Sequence, residues 1–155
     1  QNYRIACMQR IWMYFLLNKG DEIIAELTEK VKENPDNVRE TDNLITALSF
    51  AKKYEEAFAV FKEAIKRFPD DWNMYIHGGD LCKWLKKYDE ALTYYDKAGE
   101  IGTYFCDELY SKANLYEDLE DYKKAHDEYM NIAEILHKRG FDIEADRAKE
   151  YAKEN

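Results

Sequence analysis

Helix breakers are scarce: two prolines and six glycines interrupt 155 residues, so long helices are feasible along most of the chain. Cysteine is scarce too. Cys7, Cys82 and Cys106 are odd in number and lack the paired spacing of a zinc site or a disulfide framework, which leaves buried thiols in a reducing compartment as the expectation. No cluster of Lys and Arg offsets the net charge of -9, made by 32 acidic and 23 basic residues, and such a surface repels a phosphate backbone. Nucleic acid is therefore excluded as the expected partner. The longest unbroken apolar run, Ile11 to Leu17, is far shorter than the roughly 20 residues that span a bilayer, and no apolar segment with a small-residue cleavage site opens the chain. The expectation is a cytoplasmic protein with no membrane partner. The sequence begins at Gln1 rather than Met, which also fits a regulatory piece of a larger multi-repeat protein.

What is present is a repeat. Apolar residues make up 46% of the chain and aromatics 15%, too much for a disordered segment, and they recur at a fixed interval. Tyr54, Tyr88 and Tyr122 are 34 residues apart, as are Ala57, Ala91 and Ala125, and then Phe61, Tyr95 and Tyr129. A period of this size marks stacked supersecondary units whose core runs in layers along an axis. Extending the frame divides residues 1–155, read as one domain, into blocks at about 4–37, 38–71, 72–105 and 106–139, with a tail over 140–155.

Each block reads as two helices. In the second, Leu44, Leu48 and Ala51 form one apolar stripe, and Ala57, Phe61, Ala64, Ile65 and Phe68 another, with Lys52-Lys53 at the turn. Pro35 and Pro69 close the first two blocks, followed by Asp36-Asn37 and Asp70-Asp71 as capping candidates for the next helix. Gly99 and Gly102 stand where the third block lacks its proline, and Lys138-Arg139-Gly140 ends the fourth. The first block departs most: Gly20 replaces the turn tyrosine, Ile23 the small alanine, and Lys30 the later alanine. Its first helix carries two apolar stripes, Cys7, Ile11, Tyr14 and Leu17 on one side and Ile5, Met8, Trp12, Phe15 and Leu16 on the other, so it must be covered twice. In the tail, Phe141, Ala145, Ala148 and Tyr151-Ala152 share one face of an amphipathic helix whose other side is polar, the pattern of a terminal cap.

With Tyr75, Gly79, Ala91, Tyr95 and Ala98 in the third block, and Leu109, Ala113, Tyr116, Ala125 and Tyr129 in the fourth, the chain resembles the tetratricopeptide repeat family over about nine-tenths of its length. The resemblance implies an all-α, right-handed superhelical solenoid of helix-turn-helix repeats with a C-terminal capping helix. It also implies that the first helices line a concave groove that binds a peptide or protein segment without catalysis. Carried over by position, the second block turns Arg39, Asp42, Asn43, Thr46, Ser49 and Phe50 toward that groove. The candidate contacts drawn from all blocks are Trp12, Asn43, Phe50, Asn73, His77, Asp80, Trp84, Tyr110 and Asn114, with the aromatics as anchors and the amides bonding backbone. The groove is apolar at its N-terminal end and acidic at the other, through Asp107, Glu117 and Asp118, so the implied partner carries apolar and basic residues.

Some relatives in that family clamp a C-terminal carboxylate with Lys, Asn and Arg. Asn43 matches one such place, but Met8, Trp12, Asn73 and His77 occupy the others, so the cationic part is missing and a chaperone's acidic tail is disfavoured. His77, Asp80 and Lys83 recur at one-turn spacing, yet no Ser or Cys nucleophile accompanies them, and an enzyme is not expected. Neither a metal nor a cofactor is expected, because His126 and His137 lack a second pair of ligands. The alternative function is a scaffold, with Ile5, Met8, Trp12 and Phe15 forming an interface to a second copy or to further repeats.

Overall fold

The computed structural model describes residues 2–102 and 110–154, the side chains of residues 2–5 excepted; Ile5, Cys106, Asp107 and Leu109 therefore lie outside the described side chains. The helices are α1 (Asn2–Leu16), α2 (Gly20–Glu33), α3 (Val38–Phe50), α4 (Tyr54–Arg67), α5 (Trp72–Trp84) and α6 (Tyr88–Ile101), then α7 (Ser111–Asp118), α8 (Tyr122–Lys138) and α9 (Asp142–Glu154). No strand occurs among the described residues.

The hairpin turns share one backbone device. Asn18, Lys52, Lys86 and Glu120, again 34 residues apart, have φ of 56, 58, 60 and 57°. After each of them the next amide reaches back to the helix it has just left, as in Lys53 N to Leu48 O at 2.9 Å and Lys87 N to Cys82 O at 2.8 Å. The left-handed residue also bonds back, as Lys52 N does to Ser49 O at 3.0 Å, so orphan carbonyls at the helix end are satisfied by the Schellman pattern. Only Asn18 among the four is a residue that tolerates this conformation readily.

Between pairs, Asn37 Oδ1 accepts from the amides of Arg39 (3.1 Å) and Glu40 (3.4 Å), and Asp71 Oδ1 accepts from the Met74 amide at 3.2 Å. These are the caps expected behind Pro35 and Pro69. At the end of α6 only Gly102, at φ 107°, acts as a stop; Gly99 lies inside the helix. Gly140, at φ 81°, turns α8 into α9.

The repeated alanines Ala57, Ala91 and Ala125 are all fully buried, and the aromatics one turn on are nearly so: Phe61 at 0%, Tyr129 at 3% and Tyr95 at 6% exposure. Two glycines receive two of those rings. A Cβ on Gly78 would lie 2.3 Å from Phe61 Cζ of the preceding pair, and one on Gly79 would lie 2.2 Å from Tyr95 Cε1 of its own pair. Gly78-Gly79 is therefore a double socket for knobs from α4 and α6.

The first pair solves the same problem differently. The Phe15 ring fills the space that a Cβ on Gly20 would need, at 2.5 Å, and packs 5.8 Å from Phe50. Gly20 thus stands where later pairs have tyrosine because α1 supplies the aromatic. Phe15, grouped by spacing with the outward stripe, consequently turns inward. Leu17 differs in the opposite sense: its spacing groups it with Ile11, yet it is 61% exposed because it falls in the turn beyond the last residue of α1. Lys30 pairs with Glu26 at 2.8 Å, and Glu26 also binds Arg10, so an Arg10–Glu26–Lys30 chain clips α1 to α2.

The capping helix buries Ala145, Ala148 and Ala152 against the α8 layer, but Phe141 and Tyr151, expected on the same face, remain 43% and 42% exposed. Small residues bring α9 close to α8 and leave no depth for larger rings. Ile143, at 76% exposure, interrupts the expected polar outer side. His126 Nδ1 lies 2.6 Å from Ala152 O and His137 Nδ1 lies 2.7 Å from Asp142 Oδ1, so these two histidines tie α8 to α9.

Candidate functional site

The first helices of successive pairs meet through side chains at the expected groove positions. Asp42 on α3 is the hub of one contact: its Oδ1 accepts from Asn73 Nδ2 at 2.7 Å and lies 2.5 Å from His77 Nε2, both on α5. His77 and Asp42 side chains are each only 17% exposed, so this polar join is largely removed from water. The other amide atom, Asn73 Oδ1, is buried with no hydrogen-bond partner among the described residues, an arrangement that costs about 1–3 kcal/mol. Asn43, expected among the groove contacts, is only 8% exposed. It sits in the layer between helices rather than on an open wall.

His77, Asp80 and Lys83 do not act together. His77 faces Asp42, Asp80 accepts from the Tyr95 hydroxyl at 2.7 Å, and Lys83 pairs with Asp118 at 2.5 Å. Burial pushes the Asp80 carboxyl above the usual carboxylate range, against the opposing pull of the Tyr95 hydrogen bond and of His77 and Lys83. Burial, with the nearby Asp80 charge, drives the Tyr95 phenol up in turn. Burial also pushes the Cys82 thiol up to about 11, so this sulfur is protonated and inert at neutral pH. Among the described residues no group of three or more His, Cys, Asp or Glu side chains is placed to hold a metal ion.

Large apolar residues recur at one repeat position. Leu16, Phe50 and Trp84 are equivalent by the 34-residue interval, each ending a first helix, and they are 59%, 38% and 45% exposed. The fourth equivalent residue is Asp118. Trp12 packs edge-on to Phe50 at 5.8 Å, and Trp84 stacks on Tyr54 at 5.1 Å and 27°. Each anchor is therefore supported from one side and open on another. At the C-terminal end, Tyr129 Oη donates to Glu117 Oε1 at 2.9 Å, with Asn114 Oδ1 at 3.2 Å, and Tyr110 lies 5.8 Å from the Tyr129 ring.

Another surface competes for attention. An apolar hollow of about 570 Å³ lies between the second helices α2 and α4, lined by Val31, Val60, Ala64 and Phe68 with Lys32, Glu63 and Arg67 at its edge. No groove candidate lines it.

Solved tetratricopeptide-repeat structures share this architecture. A tetratricopeptide repeat protein from Parabacteroides merdae matches with a TM-score of 0.66 at 16% identity, over 99% of this chain and 60% of its own. TTC0263, a thermophilic TPR protein in Thermus thermophilus, matches at 0.64 and 16% identity, over 97% of this chain and 90% of its own. YrrB, described as a TPR protein with an unusual peptide-binding site, matches at 0.57 and 20% identity, over 83% of this chain and 73% of its own. At these identities the likeness establishes the fold: the chain is a tetratricopeptide-like, right-handed superhelical solenoid of helix-turn-helix repeats. No protein-family model and no curated protein sequence matches it.

Proposed function

We propose that this solenoid is a non-enzymatic interaction module that holds an extended peptide or protein segment along α3, α5 and α7. The observation that carries the reading is the row Leu16, Phe50 and Trp84. Large apolar side chains left exposed at one repeat position in three successive pairs recur as a pattern rather than as scattered surface residues, and such side chains are the usual anchors of an interface. Asp42, Asn73 and His77, bonded to one another and largely closed off from water, hold α3 against α5 and so set the spacing of the anchors Phe50 and Trp84 that end those helices. The row ends in Asp118, which Lys83 pairs, with Glu117 beside it, and a segment with apolar residues first and basic residues beyond suits this change from apolar to acidic side chains. YrrB's peptide-binding site adds the precedent of a peptide binder on this fold. The free thiols of Cys7 and Cys82 suit a reducing compartment such as the cytoplasm.

The test is a selection of displayed peptides on the wild-type chain, followed by affinity measurement with a Phe50→Ala, Trp84→Ala double variant. The expected outcome is at least a tenfold loss, since anchor truncations cost about 2 kcal/mol or more. Selected peptides that bind the variant unchanged would remove the groove assignment.

A second reading has its own observation. Met8, Trp12, Met13, Leu16 and Leu17 on and just after α1 are 44–61% exposed, an apolar patch of a kind that marks interfaces. Light scattering over a range of concentrations separates the two, because a strict monomer with α1 folded would leave self-assembly without support.

A further inference from the structure

The capping helix carries a stripe that its buried alanines do not explain. Glu144, Arg147, Tyr151 and Glu154 recur at steps of three and four residues, so they share one helix face, offset from the packed face of Ala145, Ala148 and Ala152. That face forms one wall of an open cavity of about 530 Å³. The opposite wall is the end of the groove itself, with Tyr110 and Asn114 at the start of the fourth pair, Glu117 on α7 and Tyr129 on α8.

Three tyrosine rings close around this cavity. Their centroids are 5.8 Å (Tyr110 to Tyr129), 6.0 Å (Tyr110 to Tyr151) and 5.6 Å (Tyr129 to Tyr151) apart. Tyr129 is fixed at 3% exposure with its hydroxyl committed to Glu117, and burial together with that bond drives its phenol up. Tyr151, at 42% exposure, completes the cluster from the side of the cap.

The chemistry of the lining selects the ligand. Aromatic faces attract cations through their quadrupole, and the three glutamates of the lining outnumber its one arginine, Arg147. An anion meets net negative charge here, and a purely apolar group would strip water from carboxylates without return. A planar guanidinium or an ammonium gains from both the rings and the acids. We propose that this cavity is a receptor for a cationic side chain, arginine or lysine, carried by the segment that lies in the groove. The proposal rests on the groove reading and names the residue that the groove's acidic end receives.

The probe is acetyl-arginine-amide, with acetyl-citrulline-amide as the neutral isostere, titrated into the full chain and followed by the ring resonances of Tyr110 and Tyr151. Saturable shifts are expected for the arginine probe with a Kd on the order of 1–10 mM, at least tenfold weaker for citrulline and weakened by added salt. Tyr151→Leu, at an exposed position that leaves the fold intact, should weaken binding about five- to thirtyfold, and Tyr151→Phe should retain it. A Glu144→Gln, Glu154→Gln double variant should also lose affinity while keeping its helicity. Equal shifts from arginine and citrulline, or saturation that survives Tyr151→Leu, would overturn the proposal. The small probe cannot span the groove, so Trp84→Ala must leave its binding unchanged. If selected peptides lose nothing in the Phe50, Trp84 variant while the arginine probe still binds, the groove reading fails and the cation site stands. If peptides obey the groove but the probe does not bind, the cation site fails alone.

Discussion

Alanine in place of glycine should have opposite signs at two helical positions of this chain. In a free helix, Ala is favoured over Gly by about 0.8–1.0 kcal/mol. At Gly79 the added Cβ would stand 2.2, 2.5 and 2.8 Å from three atoms of the Tyr95 ring, where ordinary carbon contacts begin near 3.5 Å. The ring has no easy retreat, because its hydroxyl is held by Asp80 at 2.7 Å and only 6% of the residue is exposed. Overpacking costs about 1–3 kcal/mol, and a pinned ring belongs at the upper end, so the net loss for Gly79→Ala is about 2 kcal/mol. Gly78→Ala meets the fully buried Phe61 ring at 2.3 Å and should lose a similar amount. Among the described residues no atom lies within 4 Å of a would-be Cβ on Gly99, inside α6, so Gly99→Ala should gain about 0.5–1 kcal/mol. Urea unfolding followed by circular dichroism reads all three. A Gly79→Ala chain as stable as the wild type, or variants that all shift in one direction, would refute the socket account.

The shared turn makes a second prediction: Lys52→Gly, Lys86→Gly and Glu120→Gly should each raise stability by about 0.5–1 kcal/mol in thermal melts, since all three residues sit at φ near 60° with a Cβ that disfavours it. A third concerns acid. The Arg10 hydrogen bond, followed by that of Lys30, lowers the Glu26 carboxyl from its ordinary 4.5 to about 2. A carboxylate depressed on folding stabilises above its ordinary pKa, and that contribution drains away as pH falls from about 4.5 toward 2. The Arg10 and Glu26 side chains are 43% and 35% exposed, so water limits the effect to about 1 kcal/mol, and Glu26→Gln should lose that much at pH 7 and respond less to pH across this window. Fourth, Asp80→Asn keeps an acceptor for the Tyr95 hydroxyl and removes a charge that burial disfavours, so urea unfolding at pH 7 should show equal stability or a gain of up to about 1 kcal/mol. A larger loss would show that the attraction of His77 and Lys83 outweighs burial.

The parts of the fold written in local chemistry could be read from the chain. The 34-residue interval located the hairpins, the Asn37 and Asp71 caps and the Gly140 stop, because these depend on residues within one turn of each other. Burial across layers was not readable in the same way. Asn43 occupies a groove position in the frame and yet is closed off by its neighbours, and Asp42, one residue earlier, proves to be the hub that joins α3 to α5. Asp42 and His77 meet across 35 residues of chain, one more than the repeat interval, and only their complementary polarity at adjoining groove positions signalled it. Phe15 turned inward because Gly20 leaves a vacancy, a pairing that a stripe drawn on one helix cannot show. The second stripe of α9 was hidden by its company: Tyr151 neighbours the packed Ala152 in sequence and was grouped with it, although the alanines hold α9 too close for a ring.

The central claim is that a ligand lies on the first helices, and crosslink mapping tests it most directly. A selected peptide carrying a benzophenone at its apolar end would be photolysed on the wild-type chain and the products located by mass spectrometry. The account predicts crosslinks at the row that includes Phe50 and Trp84 on α3 and α5. Crosslinks confined to the hollow between α2 and α4, at Val31, Val60 and Phe68, would contradict it.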